Sequence, residues 1–130
     1  MPTSALFSIR PEFAEAILEG RKTYEFRRRL FARDDVTRIL VYASSPVQRV
    51  VGEFSVEEIL VMEPRKLWTT TSRGAAVVRK FFDLYFKGRQ VGYAVKVGRV
   101  RRYRRPMTLK KSCGLERPPQ SFCYLQSKGD

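Results

Sequence analysis

The stretch Pro11-Glu12-Phe13-Ala14-Glu15-Ala16-Ile17-Leu18-Glu19-Gly20-Arg21-Lys22-Thr23-Tyr24-Glu25-Phe26-Arg27-Arg28 changes its apolar period halfway along. Phe13, Ala14, Ile17 and Leu18 recur at helical spacing, so they form one face of a helix of about nine residues, with Pro11 at its first position and Gly20 ending it. Glu12 in the first turn, and Arg21 and Lys22 after the last, complement the helix dipole. From Lys22 to Arg28 the alternation falls to two residues, the period of a strand. A chain that turns from helix to strand across one glycine mixes both element types in one unit, which places the fold in the α+β class.

The rest of the chain agrees with that class. Ala5–Ile9 reads as a short buried strand, Thr37–Ala43 as a second and Val50–Met62 as a third, long enough to bend at Gly52. Pro64 opens a short helix, PRKLWTTT, and the run AAVVRKFFDLYFKG gives another, with Val77, Val78, Phe81, Phe82 and Tyr85 on one face and Gly88 as its stop. Residues 90–104 alternate as the longest strand, with a bulge expected at Gly98 and a basic end projecting into solvent. Residues 106–119 read as a loop and Phe122–Leu125 as a short closing strand or turn. With no internal repeat or linker, residues 1–130 are expected to form one domain, with 126–130 as a flexible tail.

Of the 130 residues, 26 are Lys or Arg, 13 are Asp or Glu and none is His, for a formal net charge of +13. The hydrophobic fraction of 43% excludes an intrinsically disordered chain. The absence of His removes Ser/His/Asp triads, Cys/His dyads and His-ligated metals. Cys113 and Cys123 lack C-x-x-C spacing and are expected as reduced, inert thiols. With no signal-like N-terminus and no long apolar run, a soluble cytoplasmic protein without a membrane partner is expected, monomeric rather than oligomeric.

The charge is uneven. Residues 1–86 carry 14 basic and 11 acidic side chains, whereas residues 87–130 carry 12 and 2. The densest part, Lys96–Lys111, includes Arg99, Arg101, Arg102, Arg104 and Arg105 and no acid. Such a stripe attracts polyanions, and the excess of Arg over Lys, 18 to 8, suits bidentate phosphate contacts and stacking on bases. Tyr103, flanked by four of these arginines, offers a ring on which a base can stack. A solvated basic strand is the plainer alternative.

Three segments carry polar groups suited to chemistry. At the helix-to-strand junction, Lys22 approaches Glu25 only if it belongs to the turn after Gly20. An ammonium and a carboxylate that meet there can do general acid/base work, or simply brace the turn as an ion pair. In Tyr42-Ala43-Ser44-Ser45-Pro46 the two hydroxyls can bind a phosphate or base edge, or cap the turn. In Pro118-Pro119-Gln120-Ser121-Phe122-Cys123-Tyr124, Gln120 can pair with a base edge, while Phe122 and Tyr124 are stacking faces or core.

Taken together with Leu6-Phe7-Ser8-Ile9-Arg10-Pro11, these segments make the chain resemble the ASCH domain of the PUA-like superfamily in its small stand-alone form. The Gly20-x-Lys22-x-x-Glu25-x-Arg27 run is the family's characteristic motif, and the likeness spans about residues 5–125. The resemblance implies a pseudo-β-barrel of five to six mixed strands, two to three helices at its rim and a cleft lined by Lys22, Glu25 and Arg27, with Ser44, Ser45, Gln120 and Ser121 opposite. It implies RNA as partner, with Arg10, Arg21 and Arg28 joining the basic stripe in binding. Family branches that hydrolyse acylated cytidine or are associated with single-stranded RNA cleavage imply an alternative, a ribonuclease or nucleoside amidohydrolase using Lys22 and Glu25 in acid/base roles. The amidohydrolase branch has a Thr where this chain has Glu25, which leaves Thr23 and Ser45 as candidate nucleophiles. No cofactor is expected, although a divalent cation would suit a nuclease. An adaptor for an acidic protein partner is the third reading.

Overall fold

Ala5, Phe7 and Ile9 alternate with Leu6 along the first strand, yet all four are buried, so this strand is covered on both faces. The computed structural model describes residues 3–125 and runs β1 (Thr3–Ile9), α1 (Pro11–Leu18), β2 (Tyr24–Arg27), β3 (Val36–Ala43), β4 (Arg49–Met62), α2 (Pro64–Thr71), a 3-10 turn (Ser72–Gly74), α3 (Arg79–Tyr85), β5 (Gly92–Met107), α4 (Leu109–Cys113) and β6 (Phe122–Leu125). The tail expected at 126–130 lies outside the described residues.

The strands form one mixed sheet in the order β2-β5-β4-β3-β1-β6. Only β1 and β3 run parallel; the other neighbours are antiparallel. Alternation sends Phe7, Ile39, Val41 and Phe54 to the same side as Ala14 and Ile17 of α1, and sends Leu6, Leu40 and Tyr42 to the other side with Leu109 of α4. A third cluster seats Leu67 of α2 and Phe82 and Phe86 from the α3 region on Phe26 and Ala94. No described helix is long and apolar enough to cross a membrane.

The long strands bend where glycine permits it. A Cβ on Gly52 would lie 2.6 Å from the Arg101 carbonyl oxygen and 2.7 Å from the Leu18 side chain, so only glycine lets β4, β5 and α1 approach this closely. Gly98 also sits in a bulge: Phe54 faces Val100 while Val56 faces Val97, and the Arg99 N–H donates to Ser55 Oγ at 2.8 Å.

The expected six-stranded pseudo-barrel is an open one, because β2 and β6 are sheet edges that share no backbone ladder. Three differences from the sequence reading matter for the site. The second strand starts at Tyr24, leaving Lys22 and Thr23 in the preceding turn. The helix expected from Ala75 starts only at Arg79, since Ala76 takes a φ of 53° that interrupts helical backbone. Residues 109–113, expected as loop, form α4, capped by the Thr108 side chain and ended by Gly114 at φ 74°; the described α-helices therefore number four rather than two to three.

Candidate functional site

Gly20 adopts φ 82° after α1, and the N–H groups of Arg21 and Lys22 both donate to the Ala16 carbonyl, at 2.9 and 3.0 Å. This termination turns Lys22 inward. Its side chain is 2% exposed, its ammonium lies 5.1 Å from the Phe13 ring centre and 4.8 Å from that of Phe26, and Nζ donates to the Ala75 carbonyl at 2.7 Å. Burial pushes the Lys22 pKa below the usual lysine value, and the nearby Glu25 carboxylate pulls partly the other way.

Glu25 and Arg27 share one face of β2, opposite Phe26. Arg27 Nε lies 3.3 Å from Glu25 Oε2, close enough for an ion pair but without hydrogen-bond geometry. The two guanidinium Nη atoms cross the open seam of the sheet: Nη1 donates to the Ser121 carbonyl at 3.4 Å and to Ser121 Oγ at 3.3 Å, and Nη2 donates to the Ser8 carbonyl at 3.2 Å. The Arg27 guanidinium also sits 4.1 Å from the Phe7 ring centre. Arg27 thus ties β2 to β1 and to the segment before β6.

Lys22, Glu25 and Arg27 line a cleft of about 680 Å³, with Ser8, Gln120 and Ser121 at one end. Among the described residues no direct ion pair joins Lys22 to Glu25, and the two residues line the same hollow. One wall is aromatic. Phe81 and Tyr85 of α3 stack at 6.1 Å and 10°, and Phe13 meets Phe81 edge-on at 5.3 Å. Arginines rest on this wall: Arg10 over Phe13 and Phe81, and Arg28 over Tyr85 at 4.6 Å. Such a surface can stack a nucleobase while nearby guanidinium groups hold its phosphate.

The other expected residues stand elsewhere. Thr23 is exposed, fixed by its N–H on the Gly74 carbonyl at 2.9 Å, and Arg21 is paired with Glu19. Ser44 donates its N–H to the Ile9 carbonyl at 2.9 Å, and neither Ser44 nor Ser45 borders the cleft. The basic stretch of β5 is divided between the two faces of its strand. Arg102 pairs with Glu15 of α1, which lowers the pKa of that carboxyl, whereas Arg101 packs 5.7 Å from the Tyr103 ring centre. Tyr103 borders a separate hollow, and its hydroxyl donates to Glu53 at 2.8 Å; burial, then that bond, holds its pKa above the usual value. Arg99, Arg104 and Arg105 are exposed and do not line the cleft. Both cysteines are free, and among the described residues no three of His, Cys, Asp and Glu gather as a metal-holding group.

Sequence reasoning missed Phe13, Phe81, Tyr85, Arg29 and Arg89 as cleft residues. The available signal was the aromatic excess in RKFFDLYF, whose four rings are more than one buried stripe of a two-turn helix needs.

A family model described as the ASCH domain matches residues 7–128. The chain is 34% identical over 127 residues to an ASCH domain-containing ribonuclease of Zymomonas mobilis, covering 95% of this chain and 85% of that protein. A crystal structure of ASCH from Zymomonas mobilis superposes with a TM-score of 0.86 at 35% identity, covering 96% of this chain and 89% of that one. A large ribosomal subunit protein uL22 of Ureaplasma parvum is 26% identical over 121 residues, a match that takes up 39% of its own length.

Proposed function

The chain belongs to the ASCH domain family, and on that premise we propose that it binds single-stranded RNA, seats one nucleotide in the Lys22–Glu25 cleft and cleaves the strand there. The observation that carries the reading is a buried ammonium of lowered pKa and a buried carboxylate that border one hollow walled by Phe81 and Tyr85. The name of the Zymomonas mobilis relative supports the choice of RNA and of cleavage. The net charge of +13 supplies long-range attraction to a polyanion, to which Arg99, Arg101, Arg104 and Arg105 contribute without touching the cleft.

The chemistry follows from the resting forms of the two groups. Glu25 accepts the proton of a ribose 2′-hydroxyl as that oxygen attacks the adjacent phosphorus. The bond from phosphorus to the 5′-oxygen breaks, and the Lys22 ammonium gives the leaving oxygen its proton. The products are a 2′,3′-cyclic phosphate and a free 5′-hydroxyl, with the proton passed from Lys22 to the leaving group and another held by Glu25. A lysine of lowered pKa is the better acid at neutral pH, and positioned proton transfers of this kind contribute about 10²–10⁴-fold each.

The test is a labelled single-stranded RNA incubated with wild type, Lys22→Ala and Glu25→Gln, each with and without EDTA, alongside the DNA of the same sequence. Wild type should cleave RNA and leave DNA intact, and each variant should slow cleavage at least about 100-fold. Equal, EDTA-insensitive degradation by all three proteins removes the chemical half of the reading. Absence of RNA binding by the wild type at low salt removes the whole of it.

A further inference from the structure

Building on that reading of the cleft, we propose that the RNA strand leaves it along a phosphate track formed by Arg28, Arg29 and Arg89, outside the basic run of β5. Arg27 is the last residue of β2 to pair with β5, opposite Tyr93. Because the two strands are antiparallel, Arg28 and Arg29 continue back toward the residues that precede β5. There Gly88, at φ 80°, ends the α3 region, and Arg89 is held by its N–H on the Phe86 carbonyl at 2.9 Å. The topology thus brings the adjacent Arg28 and Arg29 together with Arg89, 60 positions after Arg29, at one point on the rim.

All three border both the cleft and an adjoining groove of about 550 Å³, so the two hollows are joined by a basic ridge. Gln90 and Tyr93 also line the groove, beside the apolar Leu30 and Val91, and no acidic side chain lines it. All three arginines are exposed, and among the described residues none is in an ion pair, whereas Arg10, Arg21 and Arg102 are each matched with a glutamate. Unmatched guanidinium groups on a continuous ridge are free to make bidentate contacts to successive phosphates. The half-buried Tyr93 ring gives the next base a face on which to stack.

The experiment uses Arg29→Ser/Arg89→Ser, with Arg65→Ser/Lys66→Ser on the exposed face of α2 as a charge-matched control. Binding of a labelled single-stranded RNA of about eight nucleotides is followed by anisotropy from about 50 to about 200 mM salt. Mononucleotide binding is followed in parallel, as the melting shift given by nucleoside 3′-monophosphates. Loss of two phosphate contacts should lower the log-log salt slope by about 1.4, so that the advantage of wild type over variant shrinks about 7-fold across the range. The control should keep both the wild-type slope and the wild-type mononucleotide shift. A wild-type slope in R29S/R89S, or an equal loss in the control, overturns the track while leaving the cleft in place. Failure of the wild type to bind either ligand overturns both.

Discussion

The seam formed by Arg27 can be tested by Arg27→Met, which keeps most of the volume and removes the guanidinium. The side chain is 7% exposed and makes three hydrogen bonds of 3.2 to 3.4 Å across the open edge, besides the ion pair with Glu25. Removing one member of a buried pair costs about 3–5 kcal/mol, chiefly because the remaining charge is stranded. Lys22 still borders the same hollow and compensates Glu25 in part, and the hydrogen bonds are long, so the loss belongs at the lower end, about 3 kcal/mol. For a domain of this length that corresponds to a melting point lowered by about 10 °C. Glu25→Gln in the same background removes the stranded charge and should recover about 1–2 kcal/mol, giving a clear coupling in a double-mutant cycle read by urea unfolding. Arg27→Met within about 1 kcal/mol of wild type, or a double variant no more stable than the single, would refute the assignment of Arg27 as the clamp of the seam.

Two further outcomes follow from the same packing. Lys22 has its pKa lowered in the folded state, so between that value and the usual lysine value of about 10.4 the unfolded chain binds the extra proton and stability rises with pH. The unfolding free energy of wild type minus that of Lys22→Met should therefore increase along this alkaline window, and a flat or falling difference would contradict the burial of the ammonium. Gly52→Ala must push a methyl group into the Arg101 backbone and Leu18, at a cost of about 1–3 kcal/mol in urea unfolding. Unchanged stability would mean that β4 and β5 do not approach as described.

What the sequence made legible was local. The switch of period at Gly20 placed α1 and β2 on either side of a turn, and of the two readings open for Phe122–Leu125, strand or turn, the structure takes the strand. The burial of Lys22 was not legible, because its partner is the carbonyl of Ala75, 53 residues away. Nor was the division of the basic run, since a dense stretch of arginines on a strand alternates between faces, with Arg102 going to Glu15 while Arg101 goes to Tyr103. The rim of Arg28, Arg29 and Arg89 depends on the register of β2 against β5, which no composition reports.

β2 has four residues and a single hydrogen-bonded neighbour strand, and beyond that ladder it is held by the Arg27 side chain and by Tyr85, whose hydroxyl donates to the Phe26 carbonyl at 3.3 Å. Parting the molecule along that line breaks a few polar contacts, while parting it along any other breaks a strand ladder. Widening the hollow on that side therefore has to release the Arg27 clamp, at about 3 kcal/mol, while the strand ladders of the rest of the sheet stay intact.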